Sequence, residues 1–239
     1  MSGEITKQPV HLSAIQALRA LRTLDGEDQL SILKTAVKDG KGGLALRGLS
    51  LIQRWNEGRF WDAFLAEAQA MLDAGRIRED FDHTDAGVSS VQEFFELVDG
   101  KPDKARFQAF CALFMSVNAP EADENEAIVD LELMSILRDL SAGEMHLLSA
   151  LIKMGFYQVG DDLIASVSKE LGYRSESLVN KNIQSLFKHS LIDKTNWENR
   201  GGTGRQRKEL LTDLGMELAK RVRTYGEFKE RQEGATSAT

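Results

Sequence analysis

The chain has 239 residues, 42% of them hydrophobic and 28% charged, with 3 prolines and a formal net charge of −7. Such a composition can build a core and excludes collagen-like, disulfide-scaffold and mostly disordered chains. Cys111, the single cysteine, excludes an intrachain disulfide and suits a reducing compartment. The start, Met1-Ser2-Gly3-Glu4, opens no basic and apolar leader, and no stretch offers the roughly 20 apolar residues of a membrane span. A cytoplasmic protein without a membrane partner is the expectation.

Charge is unevenly spread. Acidic residues dominate from Arg76 to Glu144, as in Arg78-Glu79-Asp80-Phe81-Asp82 and Glu121-Ala122-Asp123-Glu124. From Gly172 to Lys208 the balance reverses, with Arg174, Lys181, Lys188, Lys194, Arg200, Arg205, Arg207 and Lys208 outnumbering the acids. Local field, rather than net charge, decides whether such a patch attracts phosphate.

In chain order, Ile15, Leu18 and Leu21, then Leu30, Leu33 and Val37, recur at helical spacing before the glycine-rich break Asp39-Gly40-Lys41-Gly42-Gly43. Helices are expected around 44–55 and 60–72, the second striped by Phe60, Phe64, Ala68 and Met71 and stopped at Ala74-Gly75. The segment 44–55, with Arg47 and Trp55, has the composition of a buried core helix, with a membrane-surface helix as the alternative. Residues 77–87 read as an acidic loop, and 88–98, 104–117 and 127–140 as three more helices. Period-two alternation is absent, so residues 1–140 are expected to form an all-helical domain for dimerisation, partner contact or sensing.

Past Leu140 the pattern changes. Ser141-Ala142-Gly143-Glu144 has the form of a capping box opening a helix with Met145, Leu148, Leu151 and Ile152. A second helix is expected from Asp161 to Gly172, and a third from Ser175 to about Lys188. Leu191-Ile192-Asp193-Lys194 and Lys208-Glu209-Leu210-Leu211 read as two short strands around a polar tip holding Gly201-Gly202-Thr203-Gly204. Thr212 is the natural N-cap of a last helix. Leu214, Leu218, Val222, Tyr225 and Phe228 stripe that helix, either as a dimer element or for docking on its own chain.

Three helices, a two-stranded wing and a further helix are the order of a winged helix. The segment from Ser141 to Val222 resembles regulators of the MarR and PadR kind. Leu211-Thr212-Asp213-Leu214-Gly215-Met216-Glu217-Leu218 is similar to their L-T-x-x-G-x-x-L junction between wing and helix. The layout around Leu137 to Glu144 also resembles the abortive-infection alpha family of phage-defence proteins. The fold expected is therefore mainly α: a helical domain, a winged-helix domain over 141–232 with a small β-wing, and a disordered tail over 233–239.

The third helix carries the functional reading. Val179, Ile183 and Phe187, with Leu178 and Leu186 beside them, form an inward side, while Ser177, Lys181, Gln184 and Lys188 form the opposite row next to Asn180. Such groups donate to phosphates or base edges in a major groove. The candidate DNA-binding set is Ser175, Ser177, Asn180, Lys181, Gln184 and Lys188 with the basic wing residues Arg200, Arg205, Arg207 and Lys208. Trp197 fits a packing role at the wing base or stacking on a partner.

Catalytic patterns are missing. His11, His83, His146 and His189 are scattered, Asp82-His83-Thr84-Asp85 reads as an acidic loop rather than a metal site, and Cys111 lies in an apolar helical run. Gly40-Lys41-Gly42-Gly43 lacks the Ser/Thr of a phosphate-binding loop. The expectation is a non-enzymatic, cofactor-free transcriptional regulator, bacterial or phage-borne, that binds double-stranded DNA as a homodimer. A winged-helix adaptor for protein partners, in phage defence or replication, is the alternative.

Overall fold

Helix follows helix in this chain because its apolar residues recur with the helical period and its breaks carry capping side chains. A computed structural model describes residues 59–99, 103–153, 167–169, 171–172, 176–198 and 210–236. The helices expected before residue 59 lie outside these residues. The helices are α1 (Arg59–Asp73), α2 (Asp85–Asp99), α3 (Lys104–Val117), α4 (Glu124–Asp139), α5 (Ala142–Lys153), α6 (Glu176–Lys188), α7 (Lys194–Glu198) and α8 (Asp213–Thr236). Residues 167–169 are also helical.

The termini follow local chemistry. The Asp103 carboxylate accepts from Arg106 N–H at 2.9 Å and caps α3, and Asp123 accepts from Glu126 N–H at 2.8 Å and caps α4. That cap starts α4 at Glu124, ahead of the expected 127, because an acidic first turn suits the positive helix end. α1 closes as anticipated at Gly75, where Arg76 N–H donates to Met71 O at 2.8 Å. The 77–87 segment is more ordered than a surface loop. Ile77 and Phe81 are buried, Phe81–His83 forms a 3-10 turn, and α2 already begins at Asp85.

α3 is the hub. Phe107, Ala109 through Met115, and Val117 are all buried, so the helix is covered around its circumference over 109–115, while Lys104 and Gln108 stay exposed in its first turns. α4, α8, α1 and α2 pack on it. Phe64 stacks on Phe94 with ring centroids 3.7 Å apart, and Phe114 meets Phe64 edge-on at 4.9 Å and Phe81 at 5.6 Å. Cys111 lies fully buried in this core, which pushes its thiol pKa up and leaves the sulfur a packing atom. Glu93 and Glu96 both accept from Arg138 of α4, Glu93 at 3.0 Å.

α8 returns to the helical body and packs on α3 and α4. Leu218, Tyr225 and Phe228 are buried there, so much of the stripe expected to serve either dimerisation or docking is occupied by the protein's own chain. The dock is polar as well as apolar. Arg221, 8% exposed, donates from Nε to both oxygens of the wholly buried Asp130 at 3.2 and 3.4 Å, and from Nη1 to Glu217 at 2.7 Å. Lys229 Nζ donates to Glu67 of α1 at 2.6 Å. α8 runs on to Thr236, so residues 233–236, expected in the tail, continue the helix, since Glu230 to Glu233 are good helix formers. One apolar cluster runs from Phe64 to Phe228 and includes residues on both sides of position 140.

Candidate functional site

The segment after Leu140 is positioned by its caps. Ser141 N–H donates to Glu144 Oε2 at 2.6 Å while Glu144 N–H donates to Ser141 Oγ at 3.3 Å, which is the reciprocal capping box expected from the sequence. Burial raises the Glu144 carboxyl pKa, but hydrogen bonds from the Ser141 backbone and from the Ser185 and Ser141 hydroxyls outweigh it and hold the group below the usual range. Ser185 belongs to α6, so the cap of α5 also ties the two helices. α5 approaches α6 closely at Gly143, where a Cβ would lie 2.9 Å from Asn182 Nδ2.

Before α6 the chain turns at Gly172, whose φ of +64° an L side chain rarely adopts. The expected second helix is described only at 167–169, where Val167 is buried. α6 then presents two sides. Val179, Asn182, Ile183 and Leu186 face the interior, whereas Ser177, Asn180, Lys181, Gln184 and Lys188 are exposed. Among the described residues, no hydrogen bond or ion pair engages the side chains of Lys181 and Lys188, and both residues are exposed.

Two residues of α6 depart from the sequence reading. Leu178, expected beside the inward row, is 42% exposed, because Val179, Ile183 and Leu186 already fill the side that meets α5. Asn182 is buried instead, at 4% exposure, and no protein group accepts from its Nδ2. Lys169, exposed at the end of the preceding helical residues, is a cation the sequence reading did not single out. Its place just before the turn into α6 was the available signal.

α6 ends in a left-handed residue. Ser190 has φ of +55°, Ser190 N–H donates to Phe187 O at 3.0 Å, and Leu191 N–H donates to Leu186 O at 3.1 Å. This hydrogen-bond pair is the Schellman closure, here built on serine rather than glycine. It delivers Leu191 and Ile192 into the core.

The expected two-stranded wing reduces, among the described residues, to one antiparallel bridge between Ile192 and Leu211. Asp193 N–H donates to Leu210 O at 2.9 Å and Thr212 N–H to Leu191 O at 3.3 Å. The strand expected over 191–194 stops at once, because the Asp193 carboxylate accepts from Asn196 N–H at 2.7 Å and caps the short helix α7. Beyond the bridge, the L-T-x-x-G junction acquires a physical explanation. Thr212 Oγ1 donates to Ser190 O and accepts from Gly215 N–H at 3.1 Å, as its N-cap role requires. A Cβ on Gly215 would lie 2.2 Å from Leu191 O, so only glycine lets α8 pass the bridge this closely.

The structure thus brings Ser177, Asn180, Lys181, Gln184 and Lys188 to one open face. Ser175, Arg200, Arg205, Arg207 and Lys208 lie outside the described residues, and so does the glycine-rich tip. Among the described residues, no group of three His, Cys, Asp or Glu could hold a metal ion, and no helix is long and apolar enough to cross a membrane. Comparison with protein-family models, curated proteins and solved structures found no match to the chain.

Proposed function

We propose that the chain is a sequence-specific double-stranded DNA-binding protein of the transcription-regulator type, which lays the open face of α6 in the major groove. The carrying observation is that Ser177, Asn180, Lys181, Gln184 and Lys188 share a solvent-facing side on which neither lysine pairs with another described residue. Unpaired ammonium groups can replace counterions on phosphates without breaking a contact inside the protein. Asn180 and Gln184 have the amide geometry to pair with adenine, and Ser177 can donate to base or backbone.

In this reading the C-terminal segment works as a winged helix of the MarR and PadR kind. The Ile192–Leu211 bridge is the stem of the wing, and Arg200, Arg205, Arg207 and Lys208 supply phosphate contacts beyond it. Such a module buries little surface by itself, so tight binding calls for a homodimer on a two-fold site. Because α8 spends much of its apolar stripe on its own chain, that dimer uses another surface, in which the acidic helical part can take a share.

Titration of random duplex DNA at two salt concentrations tests the proposal. Affinity should fall steeply with salt, and the variant Lys181→Ala/Lys188→Ala should bind all sequences more weakly, with a log–log slope flatter by about 1 per lost phosphate contact. Asn180→Ala or Gln184→Ala should instead relax preference at particular base pairs. Absence of salt-sensitive DNA binding by the intact chain would overturn the proposal and leave α6 as a protein-binding face.

A further inference from the structure

The open face of α6 has an apolar edge. Leu178, in the first turn of the helix, is 42% exposed. Helical geometry sets it about 60° around the axis from Lys181. Its next-turn neighbour on the same flank, Asn182, is polar and buried, so no apolar side chain of α6 covers it there.

We propose that Leu178 is a specificity-determining residue that reads the 5-methyl group of thymine, an inference that rests on the DNA-binding reading of α6. Two considerations select this ligand. The first turn of a helix lying in the major groove is the part that reaches base edges. Of the groups the four bases display there, the thymine methyl is apolar, and the others are hydrogen-bond donors and acceptors that a leucine cannot satisfy. The polar neighbours Ser177, Asn180 and Lys181 hold the helix on the duplex, and Leu178 then covers the methyl group.

Deoxyuridine removes that methyl group and leaves the hydrogen-bonding edge unchanged. Duplexes selected from a random pool by the full chain are resynthesised with uracil in place of each thymine in turn, and binding is measured for the native protein and for Leu178→Ala. The native chain should lose about fourfold in affinity at one thymine position, and Leu178→Ala should bind thymine and uracil there equally. The melting temperature of Leu178→Ala is measured beside its binding, and a loss of discrimination at an unchanged melting temperature separates a reading role from a folding defect. If the native chain selects duplexes but no uracil substitution weakens it, or if Leu178→Ala keeps the discrimination, the thymine inference fails and the DNA reading stands. If the native chain selects no duplex, both fail.

Discussion

Helices α3 and α6 are nearly equal in length, at 14 and 13 residues, yet one is covered all round over its central turns and the other on one side only. α3 carries Phe107, Phe110, Leu113, Phe114 and Met115 with small residues between them, and every flank offers apolar surface to a neighbour. α6 confines its apolar residues largely to the Val179, Ile183 and Leu186 side and leaves lysine and amide side chains outward. A helix buried on all sides contributes to stability and has no surface left to engage a partner. The half-buried helix gives up that burial and keeps an open polar face.

Substitutions in the body around α3 should therefore cost stability, while those on the open face of α6 should cost binding. The largest loss is expected at Asp130, which ties α4 to α8. Burial pushes its carboxyl pKa up, against the Ser116 hydroxyl and the Arg221 guanidinium that favour the charged form. Asp130→Ala removes a partner of the buried Arg221 and should destabilise the chain by about 3 kcal/mol in urea unfolding, with Glu217 limiting the damage. A cost under about 1 kcal/mol would show that α8 is held by its apolar contacts alone.

Next comes Gly215→Ala, whose Cβ would press on Leu191 O. Because the obstacle is backbone, α8 has to move away from the bridge, at an expected cost of about 2 kcal/mol and a lower melting temperature. Under the proposed function, DNA affinity should fall with it, because the Ile192–Leu211 bridge would be displaced. An unchanged melting temperature would show that this junction yields easily.

Glu144→Gln probes the contact that ties α5 to α6 and should cost roughly 0.5–1 kcal/mol at neutral pH. The native carboxyl has its pKa held below the ordinary value. Its contribution is therefore complete above the unfolded glutamate pKa of about 4.3 and is lost as pH falls through the lower folded value. The stability difference between native and variant should shrink in acid, as read from melting temperatures between about pH 3 and 7. A difference that stays constant with pH would remove the cap's role. Smallest of all, Lys181→Ala/Lys188→Ala should leave stability within about 0.5 kcal/mol while it weakens DNA binding.

Local signals in the sequence were strongest where they act through the backbone nearby. The capping box at Ser141 and Glu144, the stop at Gly75, the bounds of α3 and the N-cap at Thr212 all come from hydrogen bonds within a few residues. The same kind of signal was overlooked at Asp193, whose cap replaces the expected strand with α7. The five residues of the α6 face were legible from spacing, since a helix with one apolar side must turn the other outward. Leu178 was misplaced, because hydrophobicity shows that a side chain can be buried but not whether a neighbour is there to bury it.

The amino-acid order by itself determined the described helices other than α7, most of their ends and the polar row of α6, because these depend on period and on capping over short distances. Only the tertiary structure decided that α8 docks on α3 and α4 through Asp130 and Arg221, 91 residues apart in the chain. It alone decided that Gly215 is needed for the carbonyl of Leu191 and that Leu178 stays in solvent. Each of these depends on which surfaces meet, and packing between distant segments is not encoded in any local pattern.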